Sequence, residues 1–162
     1  MAFTNNDALG LLSEIKTIES EGKALPIKFA WALSRTKKKL TELMDSVKEL
    51  NIPSEAYKKY DAATIALCNE MAARDEKGEP KIVSTPNGPS YDIVDRGLFD
   101  SKLKSLQDQH KQALEEQEAK AKEIMDLLNE ECIIELYKVK SEFLPKEMPL
   151  AQLEIFAPMI ED

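Results

Sequence analysis

Residues 99–128 read FDSKLKSLQDQHKQALEEQEAKAKEIMDLL, and their spacing decides the fold. One narrow, mostly apolar stripe recurs at every third or fourth residue, and charged or amide side chains fill the rest of the stretch. The stripe contains Phe99, Leu103, Leu106, His110, Ala113, Gln117, Ala121, Ile124 and Leu128. This period predicts an α-helix, and thirty helical residues extend about 45 Å. A helix so long with so thin a stripe needs a second long helix alongside it.

Residues 26–75 can supply that second helical arm. The apolar residues of 27–50 lie mostly on one helical face, and a further stripe runs from Tyr57 to Met71. Between them, Asn51-Ile52-Pro53-Ser54 predicts either a kink or the start of a fresh helix, because proline suits a first helical turn and serine suits a cap. We therefore expect a long antiparallel helical hairpin between the 26–75 arm and a helix over 96–129, packed lengthwise as in a coiled coil.

Smaller elements are expected around this hairpin. Residues 80–94 place β-branched and aromatic side chains on both sides of Asn87-Gly88, which is the pattern of an antiparallel β-hairpin. Strand-forming residues over 131–140 favour a third strand, although they could also extend the preceding helix. Short terminal helices are expected over Thr4–Ser20 and over 149–161. The predicted fold is therefore mainly α with a minor β part, in a single helical domain over 1–162.

Composition excludes several classes of protein. The chain carries 30 acidic and 22 basic residues, a formal net charge of −8, so it is a poor generic binder of nucleic acid. No window approaches 18 consecutive apolar residues, and residues 1–7 lack the basic and apolar regions of a signal peptide. We expect no membrane partner and a cytoplasmic location.

The sequence offers little catalytic chemistry. It contains none of the patterns GxxxxGK[ST], GxGxxG, GxSxG and HExxH, and it has one histidine. Cys68 and Cys132 are isolated, so we interpret them as two reduced thiols, with a disulfide or a metal site as the alternatives. We expect no catalytic residue, no metal site and no cofactor, and the chain is not predicted to be an enzyme.

The best candidate ligand site lies on the helix that follows Pro26. Lys28, Trp31, Arg35 and Lys39 recur at intervals of three and four and so form one stripe, with Lys37 and Lys38 beside it. A tryptophan offers a stacking face and a guanidinium binds phosphate, so this pattern indicates an anion or nucleotide site. The alternative is that Trp31 packs in the core and the lysines keep the helix solvated.

His110 is a second candidate because it falls on the apolar stripe of the 99–128 helix. A buried polar residue at such a position can fix the register of two helices. The alternative is a ligand-contacting or pH-sensing role, since histidine titrates near neutral pH.

Three stretches together resemble small helical proteins encoded by bacteriophages and prophages, which are largely without an assigned activity. These stretches are Leu25–Arg35, Arg74–Pro80 and Leu150–Asp162. The resemblance implies a viral origin and action inside a bacterial cell, and it transfers no catalytic residue.

Two functions follow as hypotheses, with an enzyme as the third. The first is a non-enzymatic protein that binds a host or phage protein, either inhibiting host defence or acting as a scaffold during infection. The alternative is a sponge that sequesters a nucleotide-type signalling molecule through the Lys/Trp/Arg stripe. Because the helical stripes are too thin for one pair of helices to bury much area, we also expect a homo-oligomer, with a dimer as the expected form.

Overall fold

The computed structural model of the protein describes residues 2–22 and 24–161. Over these residues the fold is mainly α, with six α-helices and two small two-stranded sheets. The elements are α1 Asn5–Glu21, α2 Ile27–Leu50, α3 Glu55–Met71, β1 Ile82–Thr85, β2 Gly88–Tyr91, α4 Arg96–Gln109, α5 Lys111–Asn129, β3 Val139–Lys140, α6 Leu150–Phe156 and β4 Ile160–Glu161. Single 3₁₀ turns cover Ser141–Phe143 and Ala157–Met159. No described helix is both long enough and apolar enough to cross a bilayer.

The chain packs as two compact units. The first contains the described residues of Met1–Ile52 and Lys122–Asp162, and the second contains Pro53–Ala121. The expected single domain over 1–162 stays a prediction. The long hairpin of the 26–75 arm with the 96–129 helix includes residues of both units and, as a whole, also stays a prediction.

The hydrophobic core of the first unit lies between α1, α2 and residues 132–161, which we call the C-terminal segment. Its buried members are Ala8, Leu11, Leu12, Ile15, Ile18, Phe29, Ala32, Leu33, Leu40, Leu136, Val139, Phe156 and Met159. The rings of Phe29 and Phe156 meet edge to face with centroids 5.6 Å apart, which joins α2 to α6. A capping box of Thr4 and Asp7 begins α1, and Gly22 ends it with a φ of 64°, a conformation that glycine adopts without strain.

The C-terminal segment is attached to this core at both of its ends. The side-chain amide of Asn5 donates to the Leu127 carbonyl over 2.8 Å, which ties the end of α5 to the start of α1. Further along, β3 pairs in parallel with β4, with Val139 opposite Ile160 and Lys140 opposite Glu161. Between these two points, Glu135 and Tyr137 form hydrogen bonds with Lys39 and Thr36 of α2, so this part of the segment lies along α2.

The second unit is a short antiparallel helical hairpin. Glu70 of α3 pairs with Lys102 of α4 at 2.7 Å, while the Tyr60 ring, earlier in α3, contacts His110 just after α4, with centroids 5.7 Å apart. The side chains of Ser54 and Asp95 cap α3 and α4. Ser54 thus starts a fresh helix, which is one of the two alternatives for the 51–54 interruption.

The predicted β-hairpin within 80–94 is confirmed and joins these two helices. Strands β1 and β2 are antiparallel, and Thr85 lies opposite Gly88 across the turn. Gly88 has a φ of 106°, which a residue with a side chain rarely adopts. The turn therefore requires glycine at this position, which is why Asn87-Gly88 predicted the hairpin.

The helix predicted over 96–129 is interrupted at one residue. His110 has φ −109° and ψ 19°, and its N–H is shared between the carbonyls of Leu106 and Gln107, which tightens the last turn of α4. The helical pattern resumes at once, since the Leu114 N–H bonds to the His110 carbonyl over 3.1 Å. A distortion of one residue leaves the apolar stripe unshifted, so the period alone could not reveal it.

Two predictions at the C-terminus are wrong in part. Of the strand expected over 131–140, only Val139–Lys140 forms. Glu131 makes a single antiparallel bridge to Thr4, in which the Cys132 N–H donates to the Phe3 carbonyl, and the Tyr137 N–H donates to the Thr36 hydroxyl of α2. The helix expected over 149–161 ends at Phe156. Pro158 lies in the next turn and lacks the N–H that would continue the helix, after which the chain turns into β4.

Candidate functional site

The stripe predicted on α2 lies on the outer face of that helix. The buried face carries Phe29, Ala32, Leu33, Thr36 and Leu40. On the opposite side Trp31 is 54 % exposed, so it does not fill the core. The alternative in which Trp31 is a core residue is therefore wrong, because Phe29 already occupies that place beside Phe156.

Tyr137 completes this stripe from another part of the chain. Its ring meets the Trp31 ring edge to face, with centroids 5.3 Å apart. The Arg35 guanidinium lies 5.5 Å from the Trp31 ring and 5.7 Å from the Tyr137 ring, and the Lys39 ammonium lies 4.8 Å from the Tyr137 ring. Cations and rings thus alternate along α2 and stabilise one another through cation–π attraction.

A hydrogen bond fixes Tyr137 in this position. Its backbone N–H donates to the hydroxyl of Thr36 over 3.2 Å. Thr36 is fully buried, while Tyr137 is partly buried. The extended segment before β3, with the Tyr137 ring, is therefore attached to α2 at Thr36.

An open cleft of about 400 Å³ lies between the first turn of α2 and the C-terminal segment. We call it the Trp31 cleft; it is lined by Ile27, Lys28, Trp31, Lys138, Val139, Lys140, Phe143 and Glu161. The Lys28 ammonium lies 3.8 Å from the centre of the Phe143 ring. No side chain caps the start of α2, which follows Pro26.

The walls of the Trp31 cleft carry more positive than negative charge. Residues 138–140 alternate, so Lys138 and Lys140 are exposed while Val139 is buried. The Lys138 ammonium donates to the Pro158 carbonyl. With Lys28 these give three cations, against the carboxylate of Glu161.

The predicted ligand residues do not all meet at this cleft. Lys28 and Trp31 line it, whereas Arg35 and Lys39 lie further along the Tyr137 flank, where the Lys39 ammonium donates to the Glu135 carbonyl over 2.8 Å. Lys38 is exposed on α2 and is not among the lining residues. His110 belongs to the second unit, where its ring contacts Tyr60.

Several residues of the cleft were not identified from the sequence. They are Lys138, Lys140, Phe143 and Glu161 in the lining, and Tyr137 was likewise not identified as the ring beside Trp31. The alternation of 138–140 was visible as a strand signal, and it does put both lysines on one exposed face. What the pattern lacks is any indication that this face adjoins Trp31, because that contact joins distant parts of the chain.

The cysteines and metal-binding side chains form no further site within the described ranges. Cys68 and Cys132 are both free thiols, and burial raises the pKa of the Cys68 thiol. Residues 2–22 and 24–161 contain no cluster of three histidine, cysteine or acidic residues that could hold a metal ion.

The comparisons with known proteins add no family to this description. No protein-family model, curated protein or solved structure matches the chain.

Proposed function

We propose that the protein is a non-catalytic binding protein that holds a small anionic ligand of nucleotide type in the Trp31 cleft. The observation that carries this proposal is the half-exposed Trp31 ring in a cleft with three lysines. One edge of the Trp31 ring contacts Tyr137, and the exposed remainder of the ring is open to a flat ligand.

The chemistry of the lining suits such a ligand. Stacking of a base on an aromatic side chain contributes about 1–3 kcal/mol, and an ammonium group binds phosphate as a point charge. Trp31 supplies the ring, and Lys28, Lys138 and Lys140 supply the charges. The base and the phosphate of a nucleotide can therefore both bind in one cleft.

The overall charge favours a small ligand over a polymer. With a net charge of −8, the chain repels a long polyanion, while the local cluster of lysines attracts a single phosphate group. A mononucleotide or a compact signalling nucleotide fits a cleft of about 400 Å³.

Binding without catalysis is favoured by the identity of the lining side chains. The described lining residues are aliphatic, aromatic, lysine and one glutamate, and within residues 2–22 and 24–161 they include no histidine, thiol or hydroxyl group. Nucleophilic catalysis uses those missing groups together with an adjacent base.

Binding of another protein is the second candidate, favoured by exposed apolar side chains of the first unit. Ile27 is 87 % exposed and Ile133 is 96 % exposed, and a partner protein that covered them would remove apolar surface from water. Inhibition of host defence, scaffolding during infection, phage origin, a cytoplasmic location and a dimer all stay predictions.

Trp31 provides a direct test because it is the only tryptophan of the chain. Titration with GMP, AMP, CMP, UMP and cyclic nucleotides, followed by Trp31 emission and by calorimetry, should give saturable quenching and heat for at least one of them. Inorganic phosphate alone should compete weakly, because it cannot stack on the ring.

A matched pair of charge reversals assigns the binding to this cleft. Lys28→Glu should weaken binding at least tenfold, whereas Lys104→Glu, an exposed lysine on α4 in the second unit, should leave it unchanged. The proposal fails if no nucleotide changes the emission or gives heat, or if both variants bind like the wild type.

A further inference from the structure

Glu161 is the one acidic residue among the described residues that line the Trp31 cleft. It lies opposite Lys140 in the parallel pair of β3 and β4, so both side chains point to the same face of that pair. Within residues 2–22 and 24–161, its carboxylate forms no hydrogen bond and no ion pair, so both oxygens are free to accept.

The free carboxylate of Glu161 determines the orientation of an anionic ligand in this basic cleft. It repels a phosphate group, so the phosphate is directed to the other cations of the cleft, Lys28 and Lys138. Lys138 directly precedes β3 and is two residues before Lys140, so its backbone is about 6.6 Å from that of Lys140 in an extended chain. The part of the ligand that approaches Glu161 must then carry hydrogen-bond donors.

Guanine is the base whose edge meets this requirement. Its N1–H and its N2 amino group are adjacent donors, and a carboxylate can accept from both at once because it has two oxygens in one plane. Adenine and cytosine each have a ring-nitrogen acceptor beside their amino group. In uracil the N3–H lies between two carbonyls. All three bases therefore turn at least one acceptor toward the carboxylate, which it repels.

We infer that Glu161 makes the Trp31 cleft selective for guanine nucleotides, with the base stacked on Trp31, its N1–H and N2 amino group donating to Glu161, and the phosphate on Lys28 and Lys138. This inference rests on the proposed function and adds the ligand class to it. Glu161 is the residue that determines specificity, and Trp31 and the lysines provide affinity for any nucleotide.

The test compares GMP, IMP and AMP by the emission of Trp31 in the full chain. IMP retains the N1–H of GMP but lacks the 2-amino group, and AMP lacks both donors. We expect GMP to bind about tenfold or more tightly than AMP, with IMP between them. GMP donates two hydrogen bonds to Glu161 and IMP donates one, whereas AMP turns a ring-nitrogen acceptor toward the carboxylate.

Glu161→Gln removes the charge while keeping the shape. It should lose the preference for GMP and gain affinity for AMP, because an amide can both donate to and accept from an adenine edge. Glu142→Gln, an exposed glutamate in the 3₁₀ turn beside Phe143, is the matched control and should keep the wild-type order. Circular dichroism of each variant verifies that the helices are intact.

The outcomes separate the two proposals. Equal affinity for GMP, IMP and AMP in the wild type, or an unchanged preference in Glu161→Gln, overturns the guanine assignment and leaves the nucleotide-binding proposal standing. The absence of any nucleotide effect on Trp31 removes both. If Glu161→Gln does not fold, the comparison of GMP with IMP in the wild type still decides the inference.

Discussion

The rings of Trp31 and Tyr137 meet edge to face, with their centroids 5.3 Å apart and their planes at 88°. One ring belongs to α2 and the other to the extended segment that leads into β3. This contact therefore fixes the segment that carries Lys138 and Lys140 beside the helix that carries Lys28. The Trp31 cleft exists because these two parts of the chain are held together.

Removing the Tyr137 ring should loosen that attachment. Tyr137→Ala is expected to lower the free energy of unfolding by about 1–3 kcal/mol, because an aromatic pair is lost from a partly buried position. The emission of Trp31 should shift to longer wavelength as its edge becomes hydrated. Tyr137→Phe keeps the ring and should change neither quantity by much; an unshifted emission in Tyr137→Ala would show that the rings are apart in solution.

The buried hydroxyl of Thr36 should stabilise the same attachment. Thr36→Val preserves the shape of the side chain but leaves the Tyr137 N–H without its acceptor, so we expect a loss of about 1–3 kcal/mol in urea denaturation. Thr41→Val on the same helix is the control, since the Thr41 hydroxyl bonds only to the Lys37 carbonyl one turn earlier, within α2. Equal stability of the two variants would contradict the anchoring role.

Phe29 should be the largest single contributor to the core of the first unit among the residues of α2. It is fully buried against Phe156, so Phe29→Ala should lower the free energy of unfolding by about 3–5 kcal/mol. Ile27→Ala, two residues earlier on the exposed face, should change it by less than about 0.5 kcal/mol. Thermal unfolding followed by circular dichroism compares the two, and similar melting temperatures would mean that Phe29 is not in the core.

Local signals in the sequence account for the parts of the fold that were predicted correctly. Asn87-Gly88 determines the β-hairpin because a glycine with a positive φ is needed at that turn. Ser54 acts within its own helical turn, so the start of α3 can be inferred from a few residues. The stripe of Lys28, Trp31 and Arg35 follows from helical spacing alone.

The parts that could not be predicted depend on contacts between distant residues. Tyr137 reaches Thr36 and Trp31 across the chain, and this attachment replaces the strand pairing that its β-forming neighbours suggested. The helical period already puts Phe29 on the apolar face of α2 and Trp31 in the stripe with Lys28 and Arg35. It contains no information on Tyr137, which contacts the Trp31 ring from a distant part of the chain.

The capping box at the start of α1 should make part of the stability depend on pH. The backbone N–H and the hydroxyl of Thr4 both donate to the Asp7 carboxylate, at 2.9 and 2.7 Å, and these bonds hold the pKa of Asp7 below its usual value. The folded chain therefore binds the proton of Asp7 less readily than the unfolded chain does. The stabilisation is complete above the unfolded pKa of about 3.9 and is lost as the pH falls through the lower pKa of the folded state.

Asp7→Asn should remove this dependence on pH. The stability advantage of the wild type over Asp7→Asn should be constant near neutral pH and should shrink on acidification below about pH 4, as measured by urea denaturation at a series of pH values. Thr4→Val loses the hydroxyl, which donates to the Asp7 carboxylate and accepts from the Asp7 N–H, but it keeps the backbone N–H. Its stability should therefore be lower at every pH and should fall by a smaller amount on acidification over the same range. Parallel pH curves for the wild type and Asp7→Asn would contradict the bonds from Thr4 to the Asp7 carboxylate.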